Sequence, residues 1–221
     1  MFKEFMKIWS EQAFSSKIVE DFLFMIGRSE EMLSYTFKTL TKNTKGKKYQ
    51  EKIYNKDKII NLKEQDIRKQ ILIHLSADNR GNISACLALL IIAKDAERLG
   101  DYVKNLFELN SLVKGAETDD ELFNRLFGEI GDELLELFKK VAKSFRNYDI
   151  ILSNEAVQEG RAIAKKCEGV IDEVVKSKFS ARRAVVLALG ARYIKRIALH
   201  LSNIASSITN PMIQTDFLKS K

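Results

Sequence analysis

The chain has 221 residues, a formal net charge of +7 and a mean hydropathy of −0.20. Its longest apolar run, residues 85 to 93, is far shorter than the ~18 residues that a transmembrane helix needs. Two separated cysteines, Cys86 and Cys167, form no C-x-x-C pair, as is typical of proteins from a reducing compartment. We therefore expect a cytoplasmic protein without a membrane span or a disulfide framework.

The positive charge does not indicate a nucleic-acid partner. Seven lysines cluster around one predicted turn and helix start: Lys42, Lys45, Lys47, Lys48, Lys52, Lys56 and Lys58. The cluster lacks the interleaved aromatic residues of nucleic-acid-binding modules. We interpret it as a solvated basic turn and expect no nucleic-acid binding.

The first half of the chain predicts three long helices. The single proline, Pro211, lies near the end of the sequence, so it does not interrupt helices over the first two hundred residues. Apolar residues return every three or four positions from Ile18 to Leu40, and a second helix is predicted at Gln50–Leu75. A third helix begins near Ile83 and ends near Gly115. Its run from Leu87 to Ala93 is so apolar that we expect it to be surrounded on most sides.

The second half repeats this pattern. A helix begins at Thr118 or Asp119, and the next two helices span about 154–175 and 180–208. The sequence therefore predicts an all-α protein of two tandem antiparallel three-helix bundles, at residues 15–115 and 116–210. An amphipathic segment at 1–14 and a tail at 211–221 are predicted to flank the bundles.

A short motif occurs once in each half. The segment 96–105 recurs about a hundred residues later at 194–203, so that Arg98 and Asn105 correspond to Arg196 and Asn203. The chain is therefore interpreted as an internal duplication, whose second copy is degenerate.

The two copies differ in their acidic residues. Glu97 and Asp101 lie four residues apart, which places both carboxylates on one face of a helix, where they could hold a cation. The second copy has Lys195 and Leu199 at these positions. The spacing alone is weak evidence for a cation site, because acidic pairs at 132/136 and 117/121 share it.

The motif and its setting resemble the PhoU family of phosphate-transport regulators. Glu97-Arg98-Leu99-Gly100-Asp101 followed by Asn105 is similar to the third-helix motif of that family, and Asp57-Lys58-Ile59-Ile60-Asn61 to its second-helix motif. In the second-helix motif Asn61 replaces the second acid. The resemblance covers roughly residues 15 to 208.

The resemblance implies multinuclear iron or zinc on the bundle surface, a homodimer, and control of a phosphate transporter and its sensor kinase. It implies Asp57, Glu97 and Asp101 as metal ligands, with Asn61 and Asn105 as secondary contacts. Membrane contact is expected only through partners.

No metal is expected in the second half, because Lys195 and Leu199 cannot bind a cation as acids would. The segment that pairs with the second motif remains ambiguous. A gapless alignment with the first half selects Glu155 and Glu159, whereas a local match selects the segment from Glu168 to Asp172.

The other conspicuous polar residues favour structural roles. Arg98 and Arg196 could contact an anion but are interpreted as ion pairs that hold neighbouring helices together. Asn105 and Asn203 are interpreted as partners in buried or interhelical hydrogen bonds rather than as ligand contacts. His200 is interpreted as an ordinary, partly buried histidine.

No Ser/His/Asp arrangement and no glycine-rich phosphate loop indicates catalysis. We therefore predict a non-enzymatic regulator of phosphate transport or phosphate-starvation signalling that acts through protein contacts and is metal-linked through the first bundle. The alternatives are a metal-binding or metal-storage protein and a metal-free docking scaffold for a membrane transporter.

Overall fold

A computed structural model describes residues 13–41, 47–77, 83–113 and 121–209 of the chain. Within these ranges the chain is helical apart from short connections, and no residue lies in a strand. The predicted all-α class is confirmed.

The helices follow the predicted order. In the first half they are α1 (Ala13–Thr41), α2 (Lys47–Ala77), α3 (Ile83–Glu108) and the short α4 (Asn110–Val113). In the second half α5 (Glu121–Asn124) continues through a π-helical turn (Arg125–Glu129) into α6 (Ile130–Asn147), followed by α7 (Ile150–Lys176) and α8 (Ala181–Thr209).

The long helices form two three-helix bundles with one continuous core. Helices α1, α2 and α3 pack together, as do α6, α7 and α8. The bundles join where α3 packs against α8 and α1 against α6, with the rings of Phe22 and Phe145 4.6 Å apart. The predicted tandem bundles are therefore confirmed.

Helices α3 and α8 run antiparallel along the junction of the bundles. Asp95 Oδ1 lies 2.8 Å from His200 Nδ1, and the Tyr102 ring lies 6.4 Å from the ring of Tyr193. The Tyr102 ring also stacks on His200. Residues near 98 on α3 are therefore level with residues near 197 on α8.

Helix α3 is less enclosed than its composition predicts. Ile83, Leu87 and Ile91 lie on one face of the helix, and their side chains are 61 %, 46 % and 41 % exposed. Three neighbouring helices, α1, α2 and α8, cover only part of the circumference of α3. Ala88, Leu89, Ile92 and Ala93 are buried, so residues 87 to 93 are surrounded on most sides as expected, except on this exposed face, which we call the apolar stripe.

Some predictions fall on parts of the chain outside the described residues. These include residues 1–12 of the N-terminal segment, the tail at 211–221 and the predicted boundary at 115/116. Ala13 and Phe14 belong to α1. Among the described helices, none combines the length and the apolar character needed to cross a membrane.

Candidate functional site

A buried polar site lies between α2 and α3, and two of the predicted metal ligands meet there around a lysine. Lys104 Nζ lies 2.6 Å from Asp57 Oδ2 on α2 and 3.4 Å from Asp101 Oδ1 on α3. Asp57 itself is 7 % exposed. An ammonium group of this chain therefore occupies the position between Asp57 and Asp101 that a bound cation would take.

Gly100 brings the two helices close at this level. A Cβ on Gly100 would lie 3.1 Å from Ile60 Cδ1 and 3.7 Å from Asp57 Oδ1. The small residue in the motif thus lets Asp57 reach the side of α3 that carries Lys104.

The surroundings of Lys104 favour its charged form. Burial opposes the charge, but the hydrogen bond and the attraction of Asp57, together with the attraction of Asp101, outweigh that effect. The pKa of Lys104 is consequently raised above its ordinary value.

Glu97, the third predicted ligand, is paired separately. Lys94 Nζ lies 2.8 Å from Glu97 Oε2, and Arg98 Nε lies 3.9 Å from the same oxygen. Across the described ranges, no group of three or more His, Cys, Asp or Glu residues is arranged to hold a metal ion.

The acids, as arranged, therefore do not fit a multinuclear metal centre. A metal ion at Asp57 and Asp101 would have to displace Lys104. Iron or zinc at these residues remains a prediction.

Two side-chain oxygen atoms on the buried face of α2 lack hydrogen bonds. Asp57 Oδ1 and Asn61 Oδ1 have no hydrogen-bond partner in the described part of the chain. One helical turn further, Glu64 is 6 % exposed and its Oε1 lies 2.5 Å from Arg68 Nε. Each buried, unsatisfied oxygen costs roughly 1–3 kcal/mol, so these oxygens lower the stability of the folded protein.

Sequence analysis missed Lys104, the basic member of the site. It could be found from helical spacing, since Lys104 lies three residues after Asp101. The prediction included only acids as ligands and therefore left out the basic side chain on the same helix face.

The second bundle also has an ion pair between its second and third long helices, but it lacks an acid that corresponds to Asp101. Lys195 Nζ on α8 lies 2.5 Å from Glu168 Oε1 on α7. Glu155 and Glu159 instead pair with Lys140 on α6. Glu168 is therefore the α7 acid that pairs with the second motif, while Gly160, next to Glu159 of the gapless alignment, packs against Ala198 and Ser202 of the same motif.

Close packing of small residues replaces the polar site between α7 and α8. A Cβ on Gly160 would lie 2.0 Å from Ser202 Oγ and 2.8 Å from the carbonyl oxygen of Ala198. Ser153 Oγ donates to the carbonyl oxygen of Ala205 at 2.5 Å, which satisfies a buried hydroxyl. The backbones of α7 and α8 are thus held in direct contact.

The repeated arginines and asparagines do not form the predicted helix-to-helix contacts. Within the described residues, the one ion pair of Arg98 is the 3.9 Å contact with its neighbour Glu97, and Arg196 has none. The side chains of Asn105 and Asn203 form no hydrogen bond to any described residue and are half-buried.

His200 has a definite structural role. Its hydrogen bond with Asp95 joins α8 to α3, and both side chains are mostly buried. The histidine therefore belongs to the junction of the bundles.

The two buried thiols are unreactive. Burial raises the pKa of Cys86 and raises that of Cys167 to about 12. Neither thiol forms a reactive thiolate near neutral pH.

The sequence matches one known family. A family model described as the PhoU domain matches residues 22–109, a range that runs from α1 to the end of α3. A search of curated protein sequences finds no match.

Two solved structures share the fold over nearly the whole chain. The crystal structure of PhoU from Pseudomonas aeruginosa superposes with a TM-score of 0.80 at 17% identity, covering 90% of this chain and 97% of that one. The crystal structure of the phosphate transport system regulatory protein PhoU from Streptococcus pneumoniae gives a TM-score of 0.75 at 17% identity, with coverage of 88% and 94%.

Proposed function

The first bundle of this chain is a PhoU domain and the whole chain has the PhoU fold, and from this premise we propose that the protein regulates phosphate transport through protein contacts, without enzymatic turnover. The observation that carries the proposal is the PhoU domain match at residues 22–109. We place the regulator in the cytoplasm, as a homodimer, with components of a phosphate transporter and its sensor kinase as partners.

The surface of the first bundle supports a role in protein contacts. The apolar stripe exposes Ile83, Leu87 and Ile91 on successive turns of α3. Large contiguous apolar patches on soluble proteins mark interaction sites. A regulator without turnover needs such a face for docking.

The test uses a host strain that lacks the gene. Phosphate uptake in this strain should no longer fall when external phosphate is plentiful, and the wild-type gene should restore the response. The double variant Leu87→Asp/Ile91→Asp should fold, because both side chains are partly exposed, but should fail to restore it.

The matched control is Ile151→Asp on α7, where the side chain is 74 % exposed. It should restore the response like the wild type. An uptake response that is the same with and without the gene would refute the proposed function, whereas full rescue by the double variant would refute only the role of the apolar stripe.

Metal linkage is a second candidate, supported by the buried oxygens of Asp57 and Asn61 that lack hydrogen bonds. Hard cations prefer oxygen ligands of this kind. Binding there would require the ammonium group of Lys104 to leave Asp57. The position of Lys104 therefore favours a regulator in which the ammonium group of Lys104, and not a metal ion, balances the charge of Asp57 and Asp101.

A further inference from the structure

The residues shared by the two motifs converge on one seam of the molecule. Arg98 lies between Asp95 and Tyr102 on the face of α3 that contacts α8. Arg196 lies in the same way between Tyr193 and His200 on α8. Because the two helices are antiparallel and level at this point, Arg98 and Arg196 flank each other where the bundles meet.

The two arginines lie on the solvent side of this seam. The adjacent residues Leu99 and Ile197 are fully buried and fill the core side of the contact. The side chain of Arg98 is 48 % exposed, and Arg196 is half-buried. The guanidinium groups are therefore open to a ligand from solution.

Two amides extend the seam in both directions. Asn105 and Asn203 each lie seven residues after an arginine and so share its helix face. Since the helices run in opposite directions, one amide lies on each side of the arginine pair. Both are half-buried, and neither side chain bonds to another described residue.

The acids near the seam do not neutralise both arginines. Asp95 is mostly buried and bonded to His200, and Glu97 is closer to Lys94 than to Arg98. Arg196 has no ion pair with a described residue, and neither has the exposed Arg192 one turn earlier. The seam therefore carries uncompensated positive charge.

We propose that this seam binds a tetrahedral oxyanion of the phosphate type between Arg98 and Arg196. Guanidinium groups match such oxygens with paired hydrogen bonds. Asn105 and Asn203 each lie seven residues, or about 10 Å along the helix axis, from their arginine and do not contact the same ion. The second half kept the arginine while it lost both acids of the motif. A ligand contacted by both halves accounts for that selective retention.

The experiment titrates the purified protein with inorganic phosphate at constant ionic strength, by calorimetry or 31P NMR. The wild type should bind one phosphate per chain, and sulfate, but not chloride, should compete. Removal of one charge-assisted contact, in Arg98→Gln or Arg196→Gln, should weaken binding about tenfold. The double variant should bind more weakly still, and thermal unfolding should show that all variants are folded.

The matched control is Arg161→Gln, which removes an exposed arginine from α7 and should leave the phosphate affinity unchanged. The proposal is overturned if the wild type shows no saturable phosphate binding, if the double variant binds like the wild type, or if Arg161→Gln weakens binding equally. This inference does not rest on the proposed function, because phosphate affinity is measured on the protein alone and regulation is measured in cells.

Discussion

The contact between α2 and α3 in the first bundle and that between α7 and α8 in the second descend from one duplicated unit but are built differently. The first surrounds Lys104 with carboxylates and leaves the buried oxygens of Asp57 and Asn61 without hydrogen bonds. The second places Gly160 directly against the backbone of Ala198. One copy kept a polar site at a cost in stability, and the other replaced it with close packing.

This difference indicates which part of the molecule is free to respond to a ligand or partner. Close backbone contact without strain stabilises a helix pair, whereas unsatisfied buried oxygens weaken it. The α2/α3 contact should therefore open more readily than the α7/α8 contact. A signal is more easily transmitted through the less stable helix pair.

The largest expected effect comes from Gly160→Ala. The added Cβ would overlap Ser202 Oγ and the Ala198 carbonyl oxygen, so we expect destabilisation by up to about 3 kcal/mol. In Gly100→Ala the closest contact of the added Cβ is the end of the Ile60 side chain at 3.1 Å, and Asp57 Oδ1 lies at an ordinary contact distance of 3.7 Å, so the loss should stay below about 1 kcal/mol. Urea unfolding of both variants measures the difference, and equal losses would show that the two contacts are packed alike.

A smaller effect is expected from the two lysines. Lys104→Met leaves Asp57 buried without its counter-charge and should cost about 2 kcal/mol. Lys195→Met removes an ion pair with the exposed Glu168 and should cost less than about 1 kcal/mol. If Lys195→Met is the more destabilising in urea unfolding, the contrast between the bundles is wrong.

The smallest effect is a pH dependence of the Lys104 contact. Because the pKa of Lys104 is raised in the folded protein, its stabilisation is fully present below the ordinary lysine pKa of about 10.4 and is lost as the pH rises through the folded value. The stability difference between wild type and Lys104→Met should be constant from pH 7 to 9 and should shrink above about pH 10.5. Titrations common to both proteins cancel in that difference, so a gap that widens at high pH would contradict the account.

The fold could be predicted from the sequence because apolar periodicity is strong in every long helix. The stripe from Ile18 to Leu40 became α1, and the helix predicted at 154–175 became α7 with small changes at its ends. The exposure of Leu87 could not be predicted in this way. Hydropathy reports that a side chain is apolar, while its burial depends on how many neighbours cover that face.

The site was harder to predict than the fold. The family resemblance grouped Asp57 with Asp101, and in the structure both carboxylates contact Lys104. It missed Lys104 because the sequence does not show which of several nearby lysines points between the acids. It also could not show that Arg98 and Arg196 lie along the same seam, because that depends on the antiparallel packing of α3 against α8.

The central claim is that Lys104 supplies the cation of the polar site in the first bundle. Elemental analysis of the protein as purified, without added metal or chelator, tests it most directly when the wild type is compared with Glu97→Ala/Asp101→Ala. The account predicts less than stoichiometric iron or zinc in both proteins. Stoichiometric metal in the wild type that disappears in the double variant would contradict it and would place a metal site at these acids.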